Sequence, residues 1–303
     1  MKLIHKVEEC AVYESNKHSY VSLSSLNPPV KTFLLKISSS GNPETATALL
    51  SNIAKSVKPV YAHTSTSIKY KALQVVPLNT FIEGMHSDSN FELRDMAYTL
   101  TLKLLADIGS QLEQLRVEHD LIIPFLSLED IIVIQTTRGQ KECDNKECDN
   151  KECDKKECDK KECDKKEDDE QKECVNSGGA FDYTFIFINA EKMMRQQQQQ
   201  RESSKSDKKE LVVDVPLKVN KHTSFLPAEL PESALKRLPM RLTTTSWCYS
   251  LSALCIYALL LHKFKNGEDD IERVGRPFLH TSLYFCLKRC LKSDPEERVL
   301  LYV

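Results

Sequence analysis

The densest set of reactive side chains in the sequence is a five-residue repeat, KECDN or KECDK, that runs from Lys141 to Cys174 and carries six of the 11 cysteines. Thiolates bind zinc well, but structural zinc sites use C-x₂₋₄-C pairs in a fixed turn, whereas the repeat spaces its cysteines as C-x₄-C. The repeat contains 10 Lys against 15 Asp and Glu and almost nothing apolar. We therefore predict a disordered insert over residues 138–180. A thiol-rich metal-binding protein, in which the repeat is the working part, stays open as an alternative function.

The other residues that could do metal chemistry are scattered. The remaining five cysteines stand singly and the eight histidines form no H-x-x-x-H pair, so we expect no metal site. A net charge of −2 over 303 residues gives no argument for nucleic acid as a partner. The N-terminus has no apolar run of the kind that a secretory signal needs, and the cysteine pattern is not that of a secreted domain. We expect a cytoplasmic protein.

Periodicity predicts the elements that must position any site. Short β-rich runs predict strands at Phe33–Ile37, Ala72–Val76, Asp130–Ile134 and Tyr183–Ile188. Apolar residues at spacings of three and four predict helices at Glu44–Ala54, Phe91–Val117 and Leu283–Lys292, with a last helix that starts at Pro295.

Two further stretches complete the order of elements. The uncharged run from Trp247 to Leu261 would span about 22 Å as a helix, short of the hydrocarbon thickness of a bilayer, so we predict a buried helix and no membrane span. A glutamine-rich stretch predicts a second disordered insert over residues 191–212. A mixed first third followed by a mostly helical half indicates an α+β fold.

Several of these segments resemble motifs of protein kinases. Phe33–Ile37 is similar to the V-A-I-K strand, with Lys36 as its lysine, and Leu121–Ile134 is similar to the catalytic-loop stretch. Leu226–Glu229 resembles the A-P-E motif, and Cys286–Arg298 resembles the signature that closes the C-lobe. The resemblance implies a bilobal protein kinase-like fold in a single domain. Its small β-rich N-lobe would cover residues 1–77 and its mainly α-helical C-lobe residues 78–303.

The sequence departs from the kinase pattern at the groups that do the chemistry. It has no G-x-G-x-x-G loop, and the H-R-D triplet falls on Ile123, Pro124 and Phe125, so the catalytic aspartate becomes a phenylalanine. The metal-binding asparagine becomes Asp130, and the D-F-G aspartate becomes Asn189. The resemblance thus implies that Lys36, Asp130 and Asn189 are degenerate nucleotide and metal positions. We expect no cofactor beyond weak ATP binding.

The part of the pattern that holds the kinase fold together is retained. Glu229 and Arg298 stand where kinases form a buried ion pair that fixes the C-lobe. The resemblance therefore implies a pseudokinase, Tribbles-like or PEAK/pragmin-like, that acts as a protein-interaction scaffold or allosteric regulator. Its expected partners are proteins, such as another kinase or a signalling adaptor. A divergent kinase with residual phosphotransfer through Lys36 and Asp130 stays open as the enzyme alternative.

Overall fold

The structure is a computed structural model that describes residues 1–15, 30–37, 43–57, 60–87, 95–137, 181–195, 210–213, 219–220, 222–230 and 240–299. The five-residue repeat and most of both predicted inserts fall outside these described residues. Outside them also lies the predicted start of the long helix at Phe91.

The first third of the described chain forms a five-stranded antiparallel sheet in the order β1-β2-β3-β5-β4. Its strands are β1 (Lys2–Val7), β2 (Cys10–Glu14), β3 (Lys31–Ile37), β4 (Val60–His63) and β5 (Ser67–Ala72).

The two faces of this sheet differ sharply because alternate residues of a strand point to opposite sides. On β3, Phe33, Leu35 and Ile37 are buried on the core face, whereas Lys36 is exposed on the other. We call this second side the outer sheet face. By register it carries Leu3, Lys6, Ala11, Tyr13, Thr32, Leu34, Lys36, Ser67, Lys69 and Lys71.

Helix α1 (Pro43–Ser56) covers the core face. Proline suits the first turn of a helix, where its missing N–H costs nothing. Leu49, Leu50 and Ile53 are fully buried in the same cluster as the core-face residues of the sheet. Asn52 then ties the helix to the next layer, since its amide donates to Gln114 Oε1 at 2.9 Å.

A three-stranded sheet follows, in the order β10-β9-β6, from β6 (Gln74–Pro77), β9 (Ile131–Thr137) and β10 (Phe181–Phe187). β9 and β10 form an antiparallel hairpin, with Thr137 opposite Phe181. The sequence predicted a strand on each side of the repeat, at Asp130–Ile134 and Tyr183–Ile188. Gln111 clamps the hairpin, because its amide donates to Phe185 O at 2.7 Å and accepts from Phe187 N at 3.2 Å.

Helices dominate the rest of the described chain, as α2 (Leu78–Met85), α3 (Ala97–His119), α4 (Ser246–Leu260), α5 (Ile271–Val274) and α6 (Ser282–Cys290). The predicted buried helix is confirmed, since α4 is covered on nearly all sides over its first three turns. None of the described helices has the length and apolar character that crossing a membrane requires.

Short strand pairs attach the chain between β10 and α4 to the rest. β11 (Met194–Arg195) pairs with β7 (Leu121–Ile122), and β13 (Ser224–Phe225) pairs with β8 (Leu126–Ser127). A third pair joins β12 (Glu210–Val213) to β14 (Met240–Thr243). The predicted insert over 191–212 is therefore wrong at both ends, because residues 191–195 and 210–213 form backbone pairs or turns.

Two other predicted elements need correction. Ala72–Val76 is not one strand, because the chain leaves the first sheet at Leu73: β5 pairs with β3, whereas β6 pairs with β9. The helix expected from Pro295 is a single 3-10 turn, Pro295–Glu297, capped by the Asp294 carboxylate, which accepts from Glu296 N.

The burial of α4 generates a stability prediction for Ser250→Ala. The Ser250 hydroxyl donates to Phe225 O at 2.5 Å and accepts from Leu126 N at 2.6 Å, so it joins α4 to both β8 and β13. Its loss leaves two buried backbone groups unpaired, and we expect the free energy of unfolding to fall by about 1–3 kcal/mol in urea denaturation. Ser252→Ala is the control, since Ser252 is equally buried but has no backbone partner. Equal losses in the two variants would contradict this bridging role.

Candidate functional site

Asp130 lies at the centre of a buried polar cluster, between β8 and β9. Its side chain is fully buried, and three donors point at its two oxygens. The Ser127 N–H and the Lys192 ammonium donate to Oδ2 at 2.7 and 2.6 Å, and the Asn189 amide donates to Oδ1 at 2.8 Å. The structure thus brings Asp130 and Asn189, two of the residues singled out from the sequence, into direct contact.

Lys192 supplies the positive charge of this cluster. Its side chain is only 11% exposed. Besides Asp130, the ammonium donates to Ser127 Oγ at 2.6 Å, and its nitrogen lies 4.4 Å from the centre of the Phe125 ring. Two hydrogen bonds and one cation–π contact satisfy an ammonium that is almost removed from water. The Ser127 hydroxyl in turn contacts Ser224 Oγ at 2.8 Å, which links the cluster to β13.

The electrostatics of the cluster leave Asp130 little capacity for a ligand. Burial raises the pKa of the Asp130 carboxyl, and the Lys192 ammonium, the Asn189 amide and the Ser127 N–H act against that rise. An ion pair within the protein therefore compensates the carboxylate. The residues present do not fit a metal-bound nucleotide here, because the carboxylate has no solvent-exposed surface. No group of three or more His, Cys, Asp or Glu side chains placed to hold a metal ion occurs among the described residues.

Asn189 is a neutral connector rather than a charged ligand. Its amide nitrogen donates to Asp130, and its Oδ1 accepts from Glu191 N at 3.1 Å in the turn Ala190–Lys192 that follows. A carboxylate at this position would face the Asp130 carboxylate at hydrogen-bond distance, and like charges so close cannot both ionise readily. The neutral amide of Asn189 can lie next to the Asp130 carboxylate without repulsion. The turn that Asn189 begins places Lys192 next to the same carboxylate.

Lys36, the third residue singled out from the sequence, lies away from this cluster. Strand alternation places Lys36 on the outer sheet face, opposite the side that α1 covers. The core face is the one directed at the Asp130 turn, since His5 Nε2 reaches across to contact Glu129 O at 2.8 Å. The core-face neighbours of Lys36 in β3 are Leu35 and Ile37, both apolar. The assignment of Lys36 as a nucleotide lysine stays a prediction, and its outward position gives that prediction no support.

Glu44, the acidic residue of α1, also lies away from Lys36. Glu44 forms an ion pair with Arg195 of β11 at 2.5 Å, at the start of α1, where both side chains are more than half exposed. Surface pairs of this kind contribute little to stability. The nucleotide-type pairing of Lys36 with Glu44 does not form.

The connection between β1 and β2 is a two-residue turn. Val7 pairs with Cys10, which leaves Glu8 and Glu9 as the turn itself, with Glu8 at a left-handed φ of 45°. A phosphate-covering loop presents backbone N–H groups from several glycines. A two-residue turn is too short to cover a phosphate, and the negative charge of its two carboxylates would repel one.

The second predicted pair, Glu229 and Arg298, forms a two-pronged ion pair. The guanidinium donates to Glu229 Oε1 at 2.8 Å and to Oε2 at 2.7 Å, and its own side chain is fully buried. It also donates to Lys292 O at 2.7 Å and to Ser293 O at 3.1 Å, and it lies 5.1 Å from the centre of the Tyr249 ring. One arginine thus joins the chain before β14, helix α4 and the segment after α6.

Neighbouring donors set the ionisation of Glu229. Burial on its own would raise its pKa, but hydrogen bonds from Arg298 and from the Ser246 hydroxyl outweigh that effect and hold the pKa below its ordinary value. The carboxylate is therefore charged in the folded protein under neutral conditions, as the pair requires.

Comparison with known proteins adds little to this description. No protein-family model and no curated protein matches the chain. Among solved structures the chain is similar to one described as "Crystal structure of Toxoplasma gondii specific rhoptry antigen kinase domain", with 11% identity, 99% of this chain and 76% of that chain covered, and a TM-score of 0.46. A similarity of this size carries no information about activity.

The order of elements agrees with the predicted fold class. A five-stranded sheet with a helix between its third and fourth strands leads into a β-hairpin and then into a helical half built around α4. That is the α+β, protein kinase-like arrangement predicted from the sequence, and the fold class is confirmed.

Sequence reasoning missed the residues that complete the Asp130 cluster. Lys192 fell inside the stretch predicted as an insert, and no role was assigned to Ser127 or Ser224. One indication was present, because Ser127-Leu128-Glu129-Asp130 has the serine-x-x-acid spacing by which a side chain caps the start of a helical turn. That spacing predicts an Asp130 engaged with its own backbone rather than with a ligand.

Replacing Lys192 by methionine tests the buried charge balance. Lys192→Met keeps most of the aliphatic length but leaves Asp130 as a buried carboxylate without a counter-charge. We expect the free energy of unfolding to fall by about 3–5 kcal/mol in chemical denaturation. Lys103→Met is the matched control, because Lys103 pairs with Asp107 at 3.4 Å in a more exposed position and its loss costs at most about 1 kcal/mol. If Lys192→Met lowers the free energy of unfolding no more than Lys103→Met does, Lys192 does not compensate the buried charge of Asp130.

The Glu229 pair predicts a definite pH dependence. Because the pKa of Glu229 is lowered from its ordinary 4.5, its stabilisation is complete above the unfolded-state value and is lost as pH falls through the folded-state value. At neutral pH we expect Glu229→Gln to lower the free energy of unfolding by about 3 kcal/mol. The gap between the variant and the wild type should close in acid. Glu272→Gln, in the exposed pair with Lys288, should show a small and flat difference. A Glu229 gap that widens below pH 4.5 would contradict the sign.

Proposed function

We propose that this chain is a catalytically inactive protein kinase-like domain that works by binding other proteins. The observation that carries the proposal is the buried Lys192–Asp130 ion pair, at 2.6 Å, in the position where the kinase resemblance expects a metal ligand. A tethered ammonium neutralises the carboxylate that a divalent cation would otherwise neutralise. The protein thereby keeps the local geometry of the loop without any bound cation.

Other features support the absence of phosphotransfer. Phosphoryl transfer depends on positioning and on charge neutralisation around the phosphates. The Glu8–Glu9 turn places two carboxylates where phosphate-binding N–H groups would be needed. Phe125, at the position of the catalytic aspartate, is fully buried, and its ring packs against the Lys192 ammonium. Residual kinase activity would need each of these groups to be replaced from elsewhere in the chain.

A binding role fits the features that are retained. The Lys192–Asp130 pair holds the start of the segment that in a kinase regulates activity, and the Glu229–Arg298 pair holds its end. Anchored ends reduce the conformational entropy that the chain between them loses when a partner binds. We propose a single domain, with an N-lobe over 1–77 and a C-lobe over 78–303, that acts as a cytoplasmic scaffold or allosteric regulator. Its partners would be proteins such as another kinase or a signalling adaptor.

Thermal unfolding with ATP tests the inactive site. A ligand that binds only the folded protein raises the unfolding midpoint by mass action. We expect the midpoint to stay within about 1 °C of the ligand-free value at millimolar ATP, whether Mg²⁺, Mn²⁺ or EDTA is added. Lys36→Ala should behave as the wild type does, because Lys36 lies on the outer sheet face. An active protein kinase measured in parallel shows that the assay detects binding.

A metal-dependent rise of several degrees would overturn the proposal if it disappears in Asp130→Asn. Each variant is compared with its own ligand-free midpoint, so that a loss of stability is not mistaken for a loss of binding. Transfer of the γ-phosphate to the chain or to a general substrate protein, abolished in the same variant, would establish residual kinase activity instead.

A further inference from the structure

Helix α6 has an exposed side that the core does not use. Its exposed residues Ser282, Phe285 and Arg289 recur at spacings of three and four, so they share one side of the helix. The residues that face the core are Leu283, Tyr284, Cys286, Leu287 and Cys290. A 3-10 turn, Arg276–Phe278, lies next to α6, since a Cβ on the preceding Gly275 would come within 3.1 Å of the Tyr284 ring. We call the exposed set Arg276, Ser282, Phe285 and Arg289 the α6 face.

Phe285 is the most exposed aromatic side chain among the described residues. It is 52% exposed, whereas every other aromatic side chain that the structure describes is buried or half-buried. Its ring meets the Tyr284 ring edge-on, with 5.3 Å between the two ring centres. Single exposed aliphatic residues are ordinary on a protein surface. An exposed phenylalanine is more informative, because aromatic residues are enriched at the centres of protein interfaces.

The two arginines of the α6 face also differ from the other arginines of the described chain. Arg276 and Arg289 are exposed and form no ion pair or hydrogen bond within the residues that the structure describes. Ion pairs with carboxylates engage the others, Arg116, Arg195, Arg273 and Arg298. Unpaired lysines such as Lys2 and Lys36 occur elsewhere, so a free cation alone does not mark a site. What distinguishes this surface is that the unpaired guanidinium groups accompany the exposed aromatic ring.

The acidic residues that flank this surface in the sequence are engaged elsewhere. Between Arg273 and Ser293 the sequence carries five Lys or Arg and no Asp or Glu. On one side of that stretch, Glu272 pairs with Lys288 at 2.7 Å. On the other side, the Asp294 carboxylate caps the turn that follows α6. The α6 face therefore has positive charge to offer to a partner.

We propose that the α6 face docks an amphipathic acidic helix of a partner protein. Side chains at spacings of three and four form the ridges against which a second helix packs, and the small Ser282 leaves room for a larger partner side chain. A guanidinium binds a carboxylate through two parallel hydrogen bonds, so Arg276 and Arg289 favour acidic residues beside the apolar stripe of that helix. Phe285 is the anchor that the contact buries. This inference rests on the proposed binding function and gives it a surface and a partner chemistry.

A protein helix fits this face better than a nucleic acid or a membrane does. Proteins that bind single strands stack successive bases on several aromatic rings, and the α6 face has one. A helix that lies in a membrane surface buries a broad apolar side, whereas Phe285 is the one large apolar residue of the α6 face. A single aromatic anchor accompanied by arginines is the composition of a protein–protein contact.

The test measures binding of a fluorescent helical peptide to the full chain by anisotropy. The peptide has about eighteen residues, with a leucine stripe at spacings of three and four, glutamate on both flanks of the stripe and alanine elsewhere. We expect saturable binding that weakens with added salt, and an affinity at least about tenfold lower when glutamine replaces glutamate. Phe285→Ala combined with Arg289→Glu should also lower the affinity at least about tenfold. Phe285→Ala alone should lower the affinity without changing its salt dependence, because it removes no charge.

The matched control combines Val117→Ala with Arg195→Glu, which removes an exposed apolar side chain and reverses an exposed arginine away from α6. It changes the net charge by the same amount, and its affinity should stay within about twofold of the wild type. All four altered residues are exposed, so both double variants should keep the circular dichroism spectrum of the wild type. Equal losses in the two double variants, or no binding of the glutamate peptide, would overturn the proposal. Tighter binding of a single-stranded RNA of about twelve nucleotides, or of vesicles of phosphatidylcholine with phosphatidylserine, would overturn it in favour of that partner.

The outcome is independent of the nucleotide experiment. If ATP binds with metal while the peptide result holds, the proposed inactivity fails and the α6 face stands as a docking surface. If neither ATP nor the glutamate peptide binds, the inactive domain stands and this surface does not.

Discussion

A buried carboxylate must be compensated from within the protein, and at Asp130 this requirement organises everything around it. Its oxygens take one donor from its own turn, one from Asn189 and one from Lys192. Removing either charge of such a pair costs several kcal/mol, because the other is left unpaired away from water. The chain between β10 and β11 must therefore follow the course that brings Asn189 and Lys192 to the same carboxylate.

The Glu229–Arg298 pair applies the same constraint at the other end of that segment. Arg298 fixes Glu229 beside α4, and Ser224 closes onto Ser127 next to the Asp130 cluster. Two buried ion pairs thus hold the start and the end of a segment whose middle the structure does not describe. In an active kinase the position that corresponds to Asp130 binds a metal ion. Here the Lys192 ammonium provides the charge opposite to the Asp130 carboxylate.

The sequence predicted the fold more fully than the site. Long periodic segments such as α3 and the apolar α4 are determined locally, and the paired position of Glu229 and Arg298 followed from the motifs around them. The contact of Lys192 with Asp130 joins residues 62 positions apart across two turns, and no local pattern encodes such a contact. The direction in which Lys36 points could not be predicted for a different reason. Motif spacing matched the lysine, but burial of Phe33, Leu35 and Ile37 fixes the phase of β3 and turns Lys36 outward.

That phase determines the character of both faces of the sheet. A strand has only two faces, so a lysine that leaves the side facing α1 and Asp130 must appear on the outer sheet face. The position that could neutralise a phosphate is filled by aliphatic side chains, which strengthen the core beneath α1. The outward lysine shares the outer sheet face with Lys6 and Lys69. The same alternation therefore gives the core face its apolar surface and the outer sheet face its positive charge.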